Sequence, residues 1–286
     1  MTVSGNRKKK KDKDKPKFRI SFVFLFIFAS FVACFTLYMR SDIDISDEGD
    51  TTLQAPIVTT QAASSAAETE SIALDDEGEI VSTAGINPIA LCDDVGEEYL
   101  ESCMFVGDSL VVGLSSYGII PEDRVVASIG MSTMTINDTP IELADGTSML
   151  ACDMVNAAAP ENLYILLGLN LMSYYTDEQL LAAYGDFVDS IDRTNTNIYV
   201  ISVPPVTAAR EEDEENPILN SDIDSFNSDL LKFANNRGLY YIDLNTALKG
   251  ADGRFSEDAA EADGIHFKSE TYTVMLEYIR THVYNG

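Results

Sequence analysis

The sequence predicts an α/β fold in which a five-stranded parallel sheet is buried between two layers of helices. Three observations carry that expectation. Five apolar runs, "CMFVG" from Cys103, "RVVASIG" from Arg124, "NLYILLG" from Asn162, "NIYVISV" from Asn197 and "GLYYIDL" from Gly238, are strand-length and rich in β-branched or aromatic side chains. Amphipathic stretches of helical length separate them, which is the βαβ alternation. The runs are also near-continuously apolar, as expected of strands covered on both faces. With 286 residues, 45% of them apolar, the chain has room for one such domain and further segments.

The elements follow in chain order. Residues 1–19 hold nine Lys/Arg against two acids and read as a basic cytoplasmic tail. Residues 20–39, "ISFVFLFIFASFVACFTLYM", carry no charge, Pro or Gly. At about 1.5 Å rise per residue, such a helix matches the roughly 30 Å hydrocarbon core of a bilayer. The basic flank predicts a single pass with the N-terminus inside and the bulk of the chain extracytoplasmic. Two alternatives stay open: a cleaved signal peptide, and a lipoprotein modified at Cys34 in "FVAC". Residues 40–87 are rich in Asp, Glu, Ser, Thr and Ala and read as an acidic flexible linker, because they have too little apolar surface to offset the entropy of ordering. The folded domain is expected over 88–286. From Ser41 onward there are nine Lys/Arg against 45 acids, a balance that excludes nucleic-acid binding through clustered phosphate contacts.

Within that domain, helices are expected at Leu110–Tyr117, Ser148–Ala158, Asp177–Arg193, Asp222–Arg237 and Ser269–Val283, with Asp177 and Ser269 as N-caps. The acid-rich stretch "REEDEENPILNS", Arg210–Ser221, interrupts the alternation and reads as a surface loop. Cys92, Cys103 and Cys152 lack C-x-x-C spacing; a Cys92–Cys103 bridge and three isolated thiols are both compatible with the sequence. No motif calls for a metal or an organic cofactor.

In an open α/β sheet, ligands bind outside the carboxyl ends of the strands. Those ends carry Gly107-Asp108-Ser109, then Ser128-Ile129-Gly130, then Gly168-Leu169-Asn170, and "ADGIHF" places Asp263 three residues before His266 ahead of the last helix. A serine hydroxyl becomes a competent nucleophile when a base takes its proton and a third group fixes that base. Ser109, His266 and Asp263 could fill those roles, or Ser109 could simply open a helix. The backbone N–H groups of Ser109 and Gly130 and the side-chain amide of Asn170 could receive an oxyanion. Asp108 reads as a helix cap beside the substrate, and Tyr174 and Tyr175 as residues lining a sugar-binding surface or packing. Of the two histidines, His282 sits near a helix C-terminus, so only His266 has an acid nearby in a loop.

The ordered Ser, Gly, Asn and His blocks between Cys103 and Val283 resemble those of the SGNH subgroup of the GDSL esterases and lipases. The resemblance implies a three-layer α/β/α, flavodoxin-like sandwich. It makes Ser109 nucleophile and oxyanion donor, Gly130 and Asn170 the rest of the hole, His266 the base and Asp263 its orienting acid. The family often has Gly-x-Asn-Asp in its third block, whereas Leu171 follows Asn170 here, so support for Asn170 must come from elsewhere. The expected activity is hydrolysis of a carboxylic ester through an acyl-serine intermediate. An O-acetyl group on a cell-envelope or extracellular glycan is the first candidate substrate, with no cofactor, no nucleic acid, and membrane association through the N-terminal helix. An O-acetyltransferase served by an acyl-delivering membrane partner and a noncatalytic envelope binding module are the alternatives.

Overall fold

Successive side chains of a strand point to opposite faces, so a run that is apolar throughout must be covered twice. The computed structural model describes residues 83–143 and 145–284, and there the five runs do this. Strands β1 (Cys103–Gly107), β2 (Val125–Ala127), β5 (Asn162–Leu166), β6 (Asn197–Ile201) and β7 (Tyr240–Ile242) form one parallel sheet in the order β2-β1-β5-β6-β7. On one face, Met104, Val106, Leu163, Ile165, Ile198 and Val200 pack with helices α2 (Ala151–Ala158), α3 (Asp177–Asp189) and α5 (Asn220–Asn236). On the other, Phe105, Tyr164, Leu166, Tyr199, Ile201 and Ile242 meet α1 (Ser109–Ser116), α6 (Leu244–Leu248) and α7 (Ser269–Arg280). The result is the three-layer sandwich of the doubly wound type, whose strand order reverses between β1 and β5.

Register adds an aromatic row to the second face. Phe105, Tyr164, Tyr199 and Tyr240 are cross-strand neighbours, with ring centroids 5.5, 4.6 and 4.9 Å apart along the row. Such pairs are a main source of sheet stability. The buried Tyr164 hydroxyl is satisfied by that of Tyr99 at 2.7 Å.

Several boundaries differ from the sequence reading, each for a local reason. Ser148–Met149 is not helical: these residues form β4 and pair antiparallel with β3 (Ile141–Glu142), so α2 starts only at Ala151. The N-cap of α3 is Thr176, which builds a capping box with Gln179; Asp177 is the first helical residue, where its charge suits the helix dipole. Lys268, not Ser269, takes the N-cap position of α7, with no side-chain cap bond. The hydroxyl of Ser190 takes the Phe187 carbonyl at 2.6 Å as α3 ends, ahead of the expected Arg193. The expected surface loop begins inside a helical turn, α4 (Ala208–Glu211), capped by Thr207. Cys92, Cys103 and Cys152 are free thiols, and burial pushes that of Cys103 up to about 12.

At the N-terminal side, residues 83–87 are bonded into the folded unit. The Thr83 hydroxyl donates to the Leu239 carbonyl at 2.7 Å, and Asn87 Nδ2 donates to the same carbonyl at 2.8 Å. Asn87 Oδ1 receives the Tyr241 N–H at 2.8 Å. The basic tail, segment 20–39 and residues 40–82 of the linker lie outside the described residues. Among the described residues, no helix is long and apolar enough to cross a membrane.

Candidate active site

The site is built where β1 turns directly into α1. A Cβ on Gly107 would lie 2.3 Å from Val111 Cγ2 and 2.4 Å from the Leu166 carbonyl oxygen, so the turn closes this tightly only with glycine. Asp108 then caps the helix by receiving the Leu110 N–H at 2.9 Å. Ser109 follows in the first turn, where backbone N–H groups have no intrahelical acceptor. The helix is clamped from behind: the Tyr272 hydroxyl of α7 donates to the Leu110 carbonyl at 2.8 Å, passing over Gly113 where a Cβ would collide with it.

A second turn brings in the histidine. The Glu261 N–H bonds the His266 carbonyl at 2.8 Å and the Gly264 N–H bonds the Glu261 carbonyl at 2.9 Å, so residues 261–266 form a closed loop. Gly264 has φ +72°, a left-handed conformation natural to glycine. Asp263 Oδ1 receives the N–H groups of Ile265 and His266, each at 3.0 Å, and Oδ2 is hydrogen-bonded to His266 Nδ1. The other ring nitrogen, His266 Nε2, lies 2.8 Å from Ser109 Oγ. With Nδ1–H committed to Asp263, Nε2 presents a lone pair to the serine proton.

The charges agree with this chain. Burial pushes Asp263 up, but the bonds from His266 and from the backbone of Ile265 and His266 outweigh it and hold the carboxyl below the usual carboxylate range. His266 is raised, first by its bond to Asp263 and also by the charges of Asp263, Asp108 and Glu261, against the lowering effect of burial. His282 takes no part: it bonds the Tyr278 carbonyl at 2.8 Å, stacks on that ring, and is lowered by burial.

Asn170 arrives from the end of β5. Its Nδ2 donates to the Met131 carbonyl at 2.9 Å and to Asp108 Oδ2 at 3.3 Å. The support missing from the third block at Leu171 therefore comes from the Gly-Asp-Ser turn and from the residue after Gly130. Leu171 itself has φ +72°, unusual for a residue with a side chain. Its carbonyl receives the N–H groups of Tyr174 and Tyr175 at 2.9 and 3.2 Å. Asp108, 2% exposed, is pushed up to about 6 by burial, with the Leu110 N–H and His266 pulling the other way.

Ser109, His266, Asn170, Asp108 and Tyr174 line a cavity of about 200 Å³. Tyr174 is 79% exposed at its mouth. Gly130 and Tyr175 are not among the lining residues; Gly130 is exposed, with φ +78°, in the turn closed by the Met131 N–H on the Ser128 carbonyl at 3.1 Å. Sequence reasoning missed the opposite wall, to which Arg210, Asn216, Pro217 and Ile218 contribute. The available signal was position: this segment follows a strand's carboxyl end, on the rim where the other site residues lie. The assembled groups can carry a proton from a hydroxyl to an imidazole and hold the resulting cation beside a carboxylate, the arrangement of acyl-transfer chemistry.

No curated protein matches the chain. Among solved structures, one from Streptococcus pneumonia named as a platelet activating factor superposes with a TM-score of 0.50 at 18% identity, covering 64% of this chain and 84% of that one. A GDSL-like lipase from Bacteroides thetaiotaomicron gives 0.47 at 14% identity, covering 62% and 85%. An acetyl xylan esterase from Geobacillus stearothermophilus gives 0.43 at 16%, covering 64% and 96%. The first of these likenesses supports a shared fold. Residues 105–274, which include Ser109, Asn170, Asp263 and His266, match the GDSL-like Lipase/Acylhydrolase family, and the chain therefore belongs to that family of esterase-type enzymes.

Proposed function

We propose that this protein is a membrane-anchored, extracytoplasmic serine esterase that removes a short acyl group, foremost an O-acetyl group, from a cell-envelope or extracellular glycan. The observation that carries the mechanism is the 2.8 Å approach of Ser109 Oγ to His266 Nε2, with His266 Nδ1 bonded to Asp263. In this reading Ser109 Oγ attacks the ester carbonyl and His266 takes its proton. The Ser109 and Gly130 N–H groups and Asn170 Nδ2 receive the oxyanion. Collapse expels the alcohol, which His266 protonates, leaving acyl-Ser109. Water, deprotonated by His266, then attacks the acyl-serine, and collapse returns Ser109 with release of the acid.

The size of the cavity supports a short acyl group: about 200 Å³ is below the range of pockets that enclose drug-sized ligands. The acidic balance outside the N-terminal tail favours a substrate that is not a polyanion. The uncharged segment 20–39 behind a basic flank supports the anchor and its orientation.

The test is hydrolysis of p-nitrophenyl acetate by the full-length protein in detergent, beside Ser109→Ala and His266→Ala, followed by acetate release from acetylated glycans. Turnover abolished in both variants is the expected result. A folded wild type without turnover, and without labelling of Ser109 by a fluorophosphonate, would overturn the esterase reading in favour of a noncatalytic module.

A further inference from the structure

Nine Lys/Arg occur from residue 83 onward, and eight of them donate a side-chain hydrogen bond to a carboxylate or carbonyl of the domain. Arg210 is the exception. Its Nε is buried without a hydrogen-bond partner, and its ionic partner, Asp213, lies 3.9 Å from Nη1, beyond hydrogen-bond reach. Arg210 also lines the Ser109–His266 cavity. A buried guanidinium N–H left unpaired is costly, and in so acidic a chain many carboxylates could have been placed against it.

The position of Arg210 is fixed by its backbone. Its N–H bonds Thr207 Oγ1 at 3.3 Å and its carbonyl receives the Ile218 N–H at 3.4 Å. The neighbouring Glu211 is tied to Arg254 Nε at 2.6 Å and to the Asn220 N–H at 3.1 Å. The His266 turn abuts the same residues: the Thr207 N–H bonds the Gly264 carbonyl at 3.0 Å, and a Cβ on Gly264 would lie 2.8 Å from Arg210 Cβ. The cation is thus anchored against the loop that carries His266.

We propose that Arg210 is a specificity-determining residue that receives a carboxylate borne by the ester substrate, so that the preferred ester is monoanionic. This rests on the reading of the Ser109 cavity as the ester site. The planar fork of arginine matches a carboxylate with paired N–H donors. The surrounding excess of acids repels a chain of many charges, whereas a single carboxylate meets a guanidinium whose ionic partner, Asp213, is partly exposed and stands off at 3.9 Å. The carboxylate could belong to the acyl group or to the alcohol, for instance an acidic sugar.

The test measures binding in the full-length Ser109→Ala protein by calorimetry, using two pairs of esters that differ only in charge. Mono-4-nitrophenyl succinate against its methyl ester places the carboxylate on the acyl side; 4-acetoxybenzoate against its methyl ester places it on the alcohol side. One pair is expected to favour the free carboxylate by about ten-fold or more, and adding Arg210→Gln is expected to collapse that ratio toward one. Arg210→Lys, which keeps the charge but not the fork, is expected to reduce the ratio several-fold, and it supplies the comparison should the glutamine variant not fold. Ratios near one in both pairs, or a ratio indifferent to Arg210, overturn the proposal. Since Ser109→Ala needs no turnover, a wild type that hydrolyses no ester would count against the esterase reading alone.

Discussion

The two sides of Ser109 are prepared differently. On the histidine side every donor and acceptor already has the partner that proton transfer needs: Asp263 is saturated by two backbone N–H groups and the imidazole, and Nε2 faces Oγ. On the Asn170 side, the amide nitrogen already donates to the Met131 carbonyl at 2.9 Å and to Asp108 at a long 3.3 Å. In the proposed mechanism, substrate displaces the longer of these bonds, that to Asp108, as Asn170 turns to the oxyanion. The Ser109–His266–Asp263 contacts are in place in the free protein, whereas the proposed oxyanion half would exchange an internal carboxylate, that of Asp108, for the developing charge.

The largest effect should come from the first half. His266→Ala is expected to lower kcat/KM for p-nitrophenyl acetate by at least about 10⁴-fold, as removal of the base does in comparable triads; a loss below ten-fold would mean that the base lies elsewhere. Asp263→Asn should cost about 10³–10⁴-fold and also move the pH profile. The rate requires neutral His266, whose bond to Asp263 is the leading cause of its raised pKa. The acidic limb should therefore lie above the ordinary histidine value in the wild type and shift to lower pH in the variant. A limb that stays in place would separate Asp263 from His266 functionally.

The second half predicts a smaller loss. Asn170→Ala is expected to reduce kcat by about 10²-fold, the typical cost of one oxyanion donor, with KM changed little; an effect on KM alone would make Asn170 a binding group. Asp108→Asn addresses stability. The Asp108 carboxyl is raised from 3.8 to about 6 by burial, so the folded state binds the proton more tightly and stability falls as pH rises through that window, by an amount on the order of 2–3 kcal/mol. The variant should lack this component of the slope in urea-unfolding midpoints measured at pH 4, 5 and 6. An unchanged slope would show that Asp108 does not titrate there, and the contrast between the two sides would weaken.

What could be read from the chain has a common cause. The five strands were legible because a strand covered on both faces must be apolar at every position, and Ser109, Asp263 and His266 stood out because Ser109 follows a strand end and, of only two histidines in the chain, His266 alone has an acid three residues before it in a loop. The β3–β4 hairpin was hidden, since two-residue strands leave no periodicity and Ser148 looks like a helix start. The cap at Thr176 was missed by one residue because Thr176 and Asp177 can both accept a backbone N–H, and the backbone dihedrals choose between them; at Lys268 the backbone alone takes the cap position, with no side-chain bond to signal it.

Local composition, then, determined the layers, the sheet and the candidates for the site, because burial and helix capping act over a few residues at a time. Only the tertiary structure decided that Asp108 and the Met131 carbonyl hold Asn170 in place of the residue missing at 171, and that the acidic stretch after β6 brings to the cavity an arginine whose Nε has no hydrogen-bond partner. Those contacts join residues 39 to 62 positions apart or lie on separate loops, and no short-range pattern encodes which side chains converge when distant strand ends meet.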